Sequence, residues 1–160
     1  MEEPHLTALA EAVVHHLTSR QQRLALAESC TGGWVAKVIT DIPGSSAIFD
    51  RGFVTYSNAA KSELLGVDPA LIAHHGAVSE AVVAAMVRGT LQRSAAQQAA
   101  AVSGVAGPGG GTPEKPVGTV WIGWGDRHTL RTQCYHFSGG REAVRQQAVV
   151  ALLRGLRVKG

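Results

Sequence analysis

The chain has 160 residues, a length that predicts one domain with a full hydrophobic core. Hydrophobic residues make up 45% of it and charged residues 17%, which excludes the composition of a disordered chain. The net charge of +3 and a pI near 9.2 suit an anionic small-molecule ligand. Because no run of Lys or Arg appears, a nucleic-acid partner is not expected.

Cysteine usage and the start of the chain predict a cytoplasmic protein. Cys30 and Cys134 are two widely separated cysteines, which do not make a disulfide framework, so a reducing compartment is the simplest setting. The range 1–4 carries two acidic residues where a signal peptide would be basic. No apolar run approaches the length of a bilayer crossing, so no membrane partner is expected.

Helices and strands are predicted to alternate over the first two thirds of the chain. Leu6, Leu9, Val13 and Leu17 recur at helical spacing, while β-branched and aromatic residues mark the later strands. In chain order, the predicted elements are a helix over 5–19, a strand over 24–28, a helix over 31–40, a strand over 52–57, a short helix capped by Asn58, a second short helix near Asp68, a helix opened by Ser79, a strand over 99–103, strands over 117–124 and 129–137 joined by a hairpin turn, and a helix over 141–156. This order predicts an α/β fold, a three-layer α/β/α sandwich with a mixed sheet.

The segment after the first predicted strand carries the strongest chemical signal. Residues 27–33 read Ala27-Glu28-Ser29-Cys30-Thr31-Gly32-Gly33 and follow an apolar run. A buried strand that turns sharply into a helix exposes backbone N–H groups, which favour negative charge. Ser29 at such a corner can attack an acyl carbon while nearby N–H groups hold the oxyanion. On these residues alone, simple helix capping is the alternative.

A nucleophilic serine needs a base, and Lys61 is the preferred candidate. It follows the second predicted strand, one turn after Asn58. If the first two strands are neighbours, their carboxyl ends meet at the edge where ligands bind in α/β sheets, and Lys61 can point toward Ser29. Burial would have to lower its pKa from the ordinary value of about 10.4. Tyr56 is a candidate to hydrogen-bond either side chain. A solvated lysine and a half-buried strand tyrosine are the alternatives.

Residues 103–119 form a loop rich in glycine and proline after the strand over 99–103. Its glycine density predicts that backbone approaches a ligand closely there. The loop is not a Walker motif, because Lys115 is followed by Pro116 and then by a strand. It is not a dinucleotide fingerprint either, because no helix opens there. A ligand-facing loop is therefore predicted rather than a plain connection.

Two arginines and three aromatic residues leave alternatives open. Arg141 and Arg145 lie one turn apart at the start of the last predicted helix, where they either pair with a phosphate or form a solvated face. Trp34, Phe53 and Trp121 either stack on a ligand ring or pack in the core, and core packing is expected.

The substrate-binding candidates are Cys30, Thr31, Gly32 and Gly33 in the turn, Ser103, Gly104, Gly107, Gly109 and Gly110 in the loop, and Arg141. Cys30 itself is interpreted as a small buried packing residue.

Four motifs, in the segments 27–33, 54–61, 76–79 and 104–119, occur in an order that resembles one family. They are similar to the CinA C-terminal domain family, the nicotinamide-nucleotide amidases, over nearly the whole chain. The resemblance implies a single amidase domain over 1–160 that hydrolyses nicotinamide mononucleotide to nicotinic acid mononucleotide and ammonia. It also implies a catalytic pair at Ser29 and Lys61, with Tyr56 on the family's tyrosine. Ser103 stands where relatives often have threonine.

The resulting hypothesis is nucleophilic catalysis in which neutral Lys61 takes the proton of Ser29 and an acyl ester forms on the serine. No cofactor or metal is expected, because the nucleophile belongs to the protein. A homodimer is the expected form of any oligomer. The alternative function is a non-catalytic module that binds a nucleotide-like anion and acts through a partner in competence or the damage response. A serine amidase with another substrate is a third interpretation.

Overall fold

The structure is a computed structural model that describes residues 3–157. Helices and strands alternate along these residues, and the chain closes with a hairpin and a long helix. The elements are α1 (Glu3–Arg20), β1 (Leu24–Glu28), α2 (Trp34–Thr40), a short 3₁₀ helix (Ser45–Ala47), β2 (Phe49–Val54), α3 (Asn58–Leu65), α4 (Pro69–His75), α5 (Glu80–Gln92), β3 (Gln98–Gly104), β4 (Thr119–Gly125), β5 (Leu130–His136) and α6 (Arg141–Gly155). Of the helices in this described part, none has the length and hydropathy that a bilayer crossing requires.

One mixed sheet forms the middle layer, with its strands in the order β2-β1-β3-β4-β5. β2, β1 and β3 run parallel, and β4 and β5 are antiparallel to their neighbours. The last residue of β1, Glu28, lies opposite Val54 of β2 and Val102 of β3. The carboxyl ends of the three parallel strands therefore meet at one edge, as the candidate site requires.

Helices cover both faces of the sheet, which confirms the three-layer α/β/α prediction. One apolar cluster joins α1, α2 and α6 to one face, and it includes Val13, Ile39 and Leu152. A second cluster joins α3, α4 and α5 to the other face, and it includes Leu65 and Met86. β1 is buried on both faces, as its continuous apolar sequence predicts.

Glycines in left-handed backbone conformations set two boundaries that the hydrophobic pattern placed too early. Gly32 and Gly33 have φ of 59° and 99°, so α2 begins at Trp34, three residues later than predicted. Gly118 has φ of 97°, and β4 begins at Thr119, two residues later than predicted. The segment that carries Ser29 is therefore a turn of its own before the helix.

The connection from β2 to α3 differs from the prediction by a few residues. β2 ends at Val54, three residues early, because its ladder with β1 stops at Glu28. Ser57 rather than Asn58 caps α3, since its hydroxyl accepts the Ala60 N–H at 3.0 Å. This cap fixes the start of the helix that carries the candidate base.

Candidate active site

A cavity of about 220 Å³ opens at the carboxyl edge of the parallel strands. Of the cavities lined by described residues, it is the one that holds the predicted serine and lysine together. Its lining residues are Ser29, Cys30, Tyr56, Asn58, Lys61, Ala77, Val78, Ser103, Gly104, Ala106 and Arg141. A larger cavity of about 350 Å³ lies at the opposite edge, where His16 and Asp126 line it. Size alone does not identify the site, so we place it where the candidate nucleophile and the candidate base meet.

The side chains of Ser29 and Lys61 are in contact. Lys61 Nζ lies 3.0 Å from Ser29 Oγ. Lys61 is 1% exposed to solvent and Ser29 is 7% exposed. The parallel pairing of β1 with β2 produces this contact, because Ser29 follows β1 and Lys61 lies in the first turn of α3. The expected approach of Lys61 to Ser29 is confirmed, and a solvated lysine is excluded.

Backbone carbonyls surround the rest of the Lys61 amine. Nζ lies 3.0 Å from the carbonyl oxygen of Thr55 and 3.3 Å from that of Tyr56. Burial lowers the pKa of Lys61, and the ion pairs in residues 3–157 include none to this amine. A neutral amine has two N–H donors for the two carbonyls and one lone pair for the Ser29 hydroxyl. The surroundings therefore suit a lysine that acts as a base.

Tyr56 contributes to this arrangement through its backbone rather than its phenol. Its carbonyl oxygen accepts a hydrogen bond from Lys61 Nζ at 3.3 Å and lies 3.4 Å from Ser29 Oγ, so the single proton of the serine hydroxyl points either to this carbonyl or to the amine. Its side chain is 61% exposed, and the phenolic oxygen accepts from Arg141 at 3.2 Å. The expectation that the phenol bonds Ser29 or Lys61 is therefore wrong in this structure, because the side chain turns outward to the first residue of α6.

Glu28 is the site residue that the sequence reasoning missed. Its side chain is 1% exposed, and Oε1 accepts from the Thr31 hydroxyl at 2.6 Å and from the N–H groups of Gly33 and Val35 at 3.2 and 3.0 Å. Oε2 accepts from the Ala36 N–H at 2.9 Å. The start of α2, predicted to attract a ligand anion, is thus occupied by an internal carboxylate. A charged residue at the end of a fully buried strand, just before a helix, was the available signal.

Two N–H groups of the turn, those of Cys30 and Thr31, have no acceptor in the described residues, and Cys30 lines the cavity whereas Thr31, Gly32 and Gly33 do not. Gly32 N–H donates to the carbonyl oxygen of Ser29 at 3.1 Å. Within residues 3–157, no backbone oxygen accepts from the N–H of Cys30 or Thr31. Cys30 is buried and lines the cavity, and burial raises the pKa of its thiol to about 11. A thiol held protonated at neutral pH is a poor nucleophile, so Ser29 stays the candidate.

Arg145 follows neither of its two expected roles. Its Nε donates to the carbonyl oxygen of Cys30 at 3.0 Å, and its terminal nitrogen donates to that of Thr31 at 3.3 Å. Its guanidinium lies over the Trp34 ring, 5.5 Å from the centroid. These contacts attach α6 to the turn that carries Ser29, so Arg145 is neither a solvated charge nor a group free for a phosphate.

The glycine-rich loop contributes only part of its predicted residues to the cavity. Ser103 and Gly104 line the cavity, and the Ser103 hydroxyl donates to the carbonyl oxygen of Ala77 at 2.9 Å. The Gly107 carbonyl oxygen accepts from Arg141 at 2.6 Å. The structure does not bring Gly107, Gly109 or Gly110 into the cavity lining, and Gly109 and Gly110 are exposed.

Three further aromatic side chains take the core positions that were expected. Trp34 packs against the cluster beneath α1, α2 and α6, while Phe53 and Trp121 pack against the cluster on the other face. None of the three lines the cavity, where Tyr56 is the aromatic residue. In the described part of the chain, no three His, Cys, Asp or Glu side chains are grouped so as to hold a metal ion.

Comparison with known proteins gives the family. The sequence profile of the CinA C-terminal domain matches residues 6–159. The chain belongs to the CinA C-terminal domain family. It is 54% identical over 151 residues to the nicotinamide-nucleotide amidohydrolase PncC of Pseudomonas putida, covering 94% of each chain. It is 52% identical to the PncC of Escherichia coli strain K12, covering 98% of this chain and 95% of that one.

A solved structure shows that the fold is shared within the CinA C-terminal domain family. The competence/damage inducible protein CihA from Agrobacterium tumefaciens superposes with a TM-score of 0.94 at 40% identity. The match covers 98% of this chain and 96% of that one. The mixed sheet, its covering helices and the carboxyl edge described above therefore belong to a known family architecture.

Proposed function

We propose that this protein hydrolyses the carboxamide of nicotinamide mononucleotide to a carboxylate, releasing ammonia and nicotinic acid mononucleotide. The observation that carries the proposal is the buried Lys61 amine 3.0 Å from the Ser29 hydroxyl, in a cavity at the carboxyl edge of the sheet. The names of relatives that are 52–54% identical over nearly the full chain support the substrate.

In the first half of the reaction, Ser29 Oγ attacks the carboxamide carbon as its proton passes to neutral Lys61. The tetrahedral intermediate then breaks its C–N bond, and the protonated Lys61 gives its proton to the leaving nitrogen, which departs as ammonia. An acyl ester remains on Ser29. The two carbonyls that accept hydrogen bonds from Lys61 hold the amine in place during both transfers.

In the second half, a water molecule attacks the ester carbon and gives its proton to Lys61. The C–O bond to Ser29 then breaks, and Lys61 returns the proton to Ser29 Oγ. The carboxylic acid product leaves and ionises in water. Lys61 therefore ends each cycle neutral, which requires the lowered pKa that its burial produces.

The N–H groups of Cys30 and Thr31 are the proposed oxyanion donors. They belong to the same turn as Ser29, and the other N–H groups there are bonded within the protein. Two fixed N–H donors aimed at the developing oxyanion stabilise the transition state more than the substrate. In this proposal, Gly32 and Gly33 shape the turn rather than touch the substrate.

Arg141 is the proposed partner of the substrate phosphate. Arg141 lines the cavity and is exposed to solvent. Its guanidinium donates to the phenolic oxygen of Tyr56 and to the carbonyl oxygen of Gly107. A cavity of about 220 Å³ takes a pyridine ring with its carboxamide and leaves the ribose and phosphate outside. A guanidinium at that position can bind a phosphate through two parallel hydrogen bonds.

A binding module without chemistry is the competing function, and the surroundings of Lys61 favour the enzyme. A module that only binds an anion gains nothing from burying an amine against a serine, and burial of an amine opposes its charge. The exposed Arg141 alone would serve such a module. The burial of the Lys61 amine against the Ser29 hydroxyl is thus the observation that favours the enzyme over the module.

The test is ammonia release from nicotinamide mononucleotide by the wild type, Ser29→Ala and the control Ser138→Ala, an exposed serine after β5. We expect the wild type and control to turn over equally and Ser29→Ala to lose at least about a thousandfold in kcat. Nucleotide binding by the wild type without any ammonia release would contradict the amidase proposal and favour the binding module.

A further inference from the structure

We propose that Glu28 is a positioning residue for the nucleophile. Its buried carboxylate holds the turn that presents Ser29, so that loss of the carboxylate lowers turnover and leaves substrate binding almost unchanged. The inference rests on the proposed function, since it takes Ser29 as the nucleophile. It assigns a role to the buried acidic side chain that touches neither the cavity nor the Lys61 amine.

The carboxylate satisfies four donors that belong to the turn and the first residues of α2. Oε1 accepts from the Thr31 hydroxyl and from the N–H of Gly33 and Val35, while Oε2 accepts from the N–H of Ala36. Residues with these donors follow Ser29 by two to seven positions. A single side chain preceding Ser29 therefore fixes the backbone that follows it.

The backbone of the same residue links the nucleophile to the base. The carbonyl oxygen of Glu28 accepts the Thr55 N–H at 2.8 Å, and the carbonyl oxygen of Thr55 accepts from Lys61 Nζ at 3.0 Å. The Ser29 N–H donates to Val102 of β3 at 3.1 Å. A shift at Glu28 would thus move Ser29 and Lys61 relative to each other.

The opposite side of the turn is held by a cation. Arg145 donates to the carbonyl oxygens of Cys30 and Thr31, while Glu28 accepts from the donors of Thr31 and Gly33. The Arg145 guanidinium therefore binds two carbonyl oxygens of the turn, while the Glu28 carboxylate accepts from the Thr31 hydroxyl and the Gly33 N–H. No ion pair joins Glu28 to a basic side chain in residues 3–157, so its negative charge is met by hydrogen bonds and by the start of α2.

An amide cannot replace this carboxylate, although its shape is the same. Glutamine has one acceptor oxygen and one NH₂ group, so either the Oε1 donors or the Ala36 N–H would face another donor. A buried donor left without an acceptor costs stability or forces the local backbone to move. A displacement of about 1 Å at a reacting group can lower a rate about a hundredfold.

The experiment compares kcat and KM for nicotinamide mononucleotide in the wild type, Glu28→Gln, Thr31→Val and Asp68→Asn. Asp68 is the matched control, because its carboxylate accepts a helix N–H from Ala70, away from the nucleophile turn. We expect kcat of Glu28→Gln to fall about thirtyfold to a hundredfold with KM within about twofold. Thr31→Val, which removes one donor to the carboxylate, should fall less and in the same way, and Asp68→Asn should match the wild type.

Folding is checked by thermal melting, with all assays well below the transition. If Glu28→Gln does not fold, Thr31→Val decides, and an unchanged kcat in Thr31→Val then overturns the inference. A folded Glu28→Gln with wild-type kcat, or with a loss confined to KM, overturns it as well. Ser29→Ala is measured in parallel. If Ser29→Ala stays active, the proposed mechanism fails, whereas an inactive Ser29→Ala beside a fully active Glu28→Gln contradicts the positioning role alone.

Discussion

Two glycine-containing segments border the cavity, and they differ in the contacts that hold them and in their exposure to solvent. The turn after β1 is fastened by the buried Glu28 carboxylate and by Arg145, both reaching its backbone. The loop between β3 and β4 is mostly exposed, and side-chain cations fasten it, with Arg141 on Gly107 and Lys115 on α4. The first arrangement fixes the atom proposed to react, Ser29 Oγ, while the second leaves backbone exposed to solvent.

Because the turn and the loop are held differently, substitutions in the two segments should change different kinetic constants. Changes in and around the turn should act on kcat, because they alter the geometry between Ser29 and Lys61. Changes at the cations that hold the loop should act on KM, because they alter the surroundings of the bound nucleotide. A variant of the turn that changes only KM, or a variant of the loop cations that changes only kcat, would contradict the comparison.

Together with Ser29→Ala, Lys61→Met should show the largest effect, because it removes the proposed base and keeps the length of the side chain. We expect kcat to fall by about 10²-fold to 10⁴-fold, the usual contribution of a positioned general base. In the wild type, kcat/KM should rise with pH as Lys61 loses its proton and level off below its ordinary value of 10.5, because burial lowers this pKa. A series of steady-state assays at increasing pH measures this rise in kcat/KM. A kcat/KM that does not change with pH at any value below 10.5 would contradict the prediction.

The next effect concerns binding of the phosphate. Arg141→Ala should raise KM for nicotinamide mononucleotide by about tenfold to a hundredfold, because it removes charge-assisted hydrogen bonds, while kcat changes little. Arg141→Lys keeps the charge without the paired donors, so it should recover only part of the loss. Inhibition by inorganic phosphate, measured in the same series, should weaken in Arg141→Ala. A drop in kcat with unchanged KM would show that Arg141 acts as the residues of the turn do, on the geometry between Ser29 and Lys61, and would contradict its role in phosphate binding.

A smaller effect is expected at the far attachment of the loop. Lys115 Nζ donates to the carbonyl oxygen of His75 at 2.6 Å. Lys115→Met should release this contact and raise KM by about twofold to fivefold, since one hydrogen bond to a charged group is lost at a partly solvated site. Lys37→Met, an exposed lysine on α2, is the control. An unchanged KM would show that the loop does not need this attachment.

The last prediction concerns stability and compares Lys61→Met with the wild type. Burial lowers the pKa of Lys61 in the folded protein, so the unfolded chain binds more protons in the interval between that pKa and 10.5. The wild type therefore gains stability as pH rises through that interval, and Lys61→Met does not. Chemical denaturation at several pH values should find the variant more stable near neutrality, with the difference shrinking toward pH 10.5. A constant difference would contradict the assigned shift.

Much of the site could be predicted because it follows from topology. The apolar run of β1 predicted a buried strand, and Lys61 was expected to approach Ser29 on the condition that the first two strands are neighbours. They are parallel neighbours, and the two side chains meet at 3.0 Å. The Ser57 cap and the end of β2 at Val54 were each predicted wrongly by one to three residues, without effect on the site.

The missed features depend on contacts that no local pattern records. Arg145 reaches the turn from a position more than a hundred residues away, and its partners are backbone carbonyls of Cys30 and Thr31. The signal from Glu28, one acidic residue at the end of a buried strand, does not show which donors its carboxylate meets. The phenol of Tyr56 turned outward because Arg141 offers it a donor there.

The most direct test of the central claim is a double-variant cycle on kcat for ammonia release. It compares the wild type with Ser29→Ala, Lys61→Met and the double variant. If the two residues act as one unit, each single variant and the double variant lose activity by a similar factor. Losses that multiply in the double variant, or a Lys61→Met protein that keeps wild-type turnover, would contradict the assignment of Lys61 as the base for Ser29.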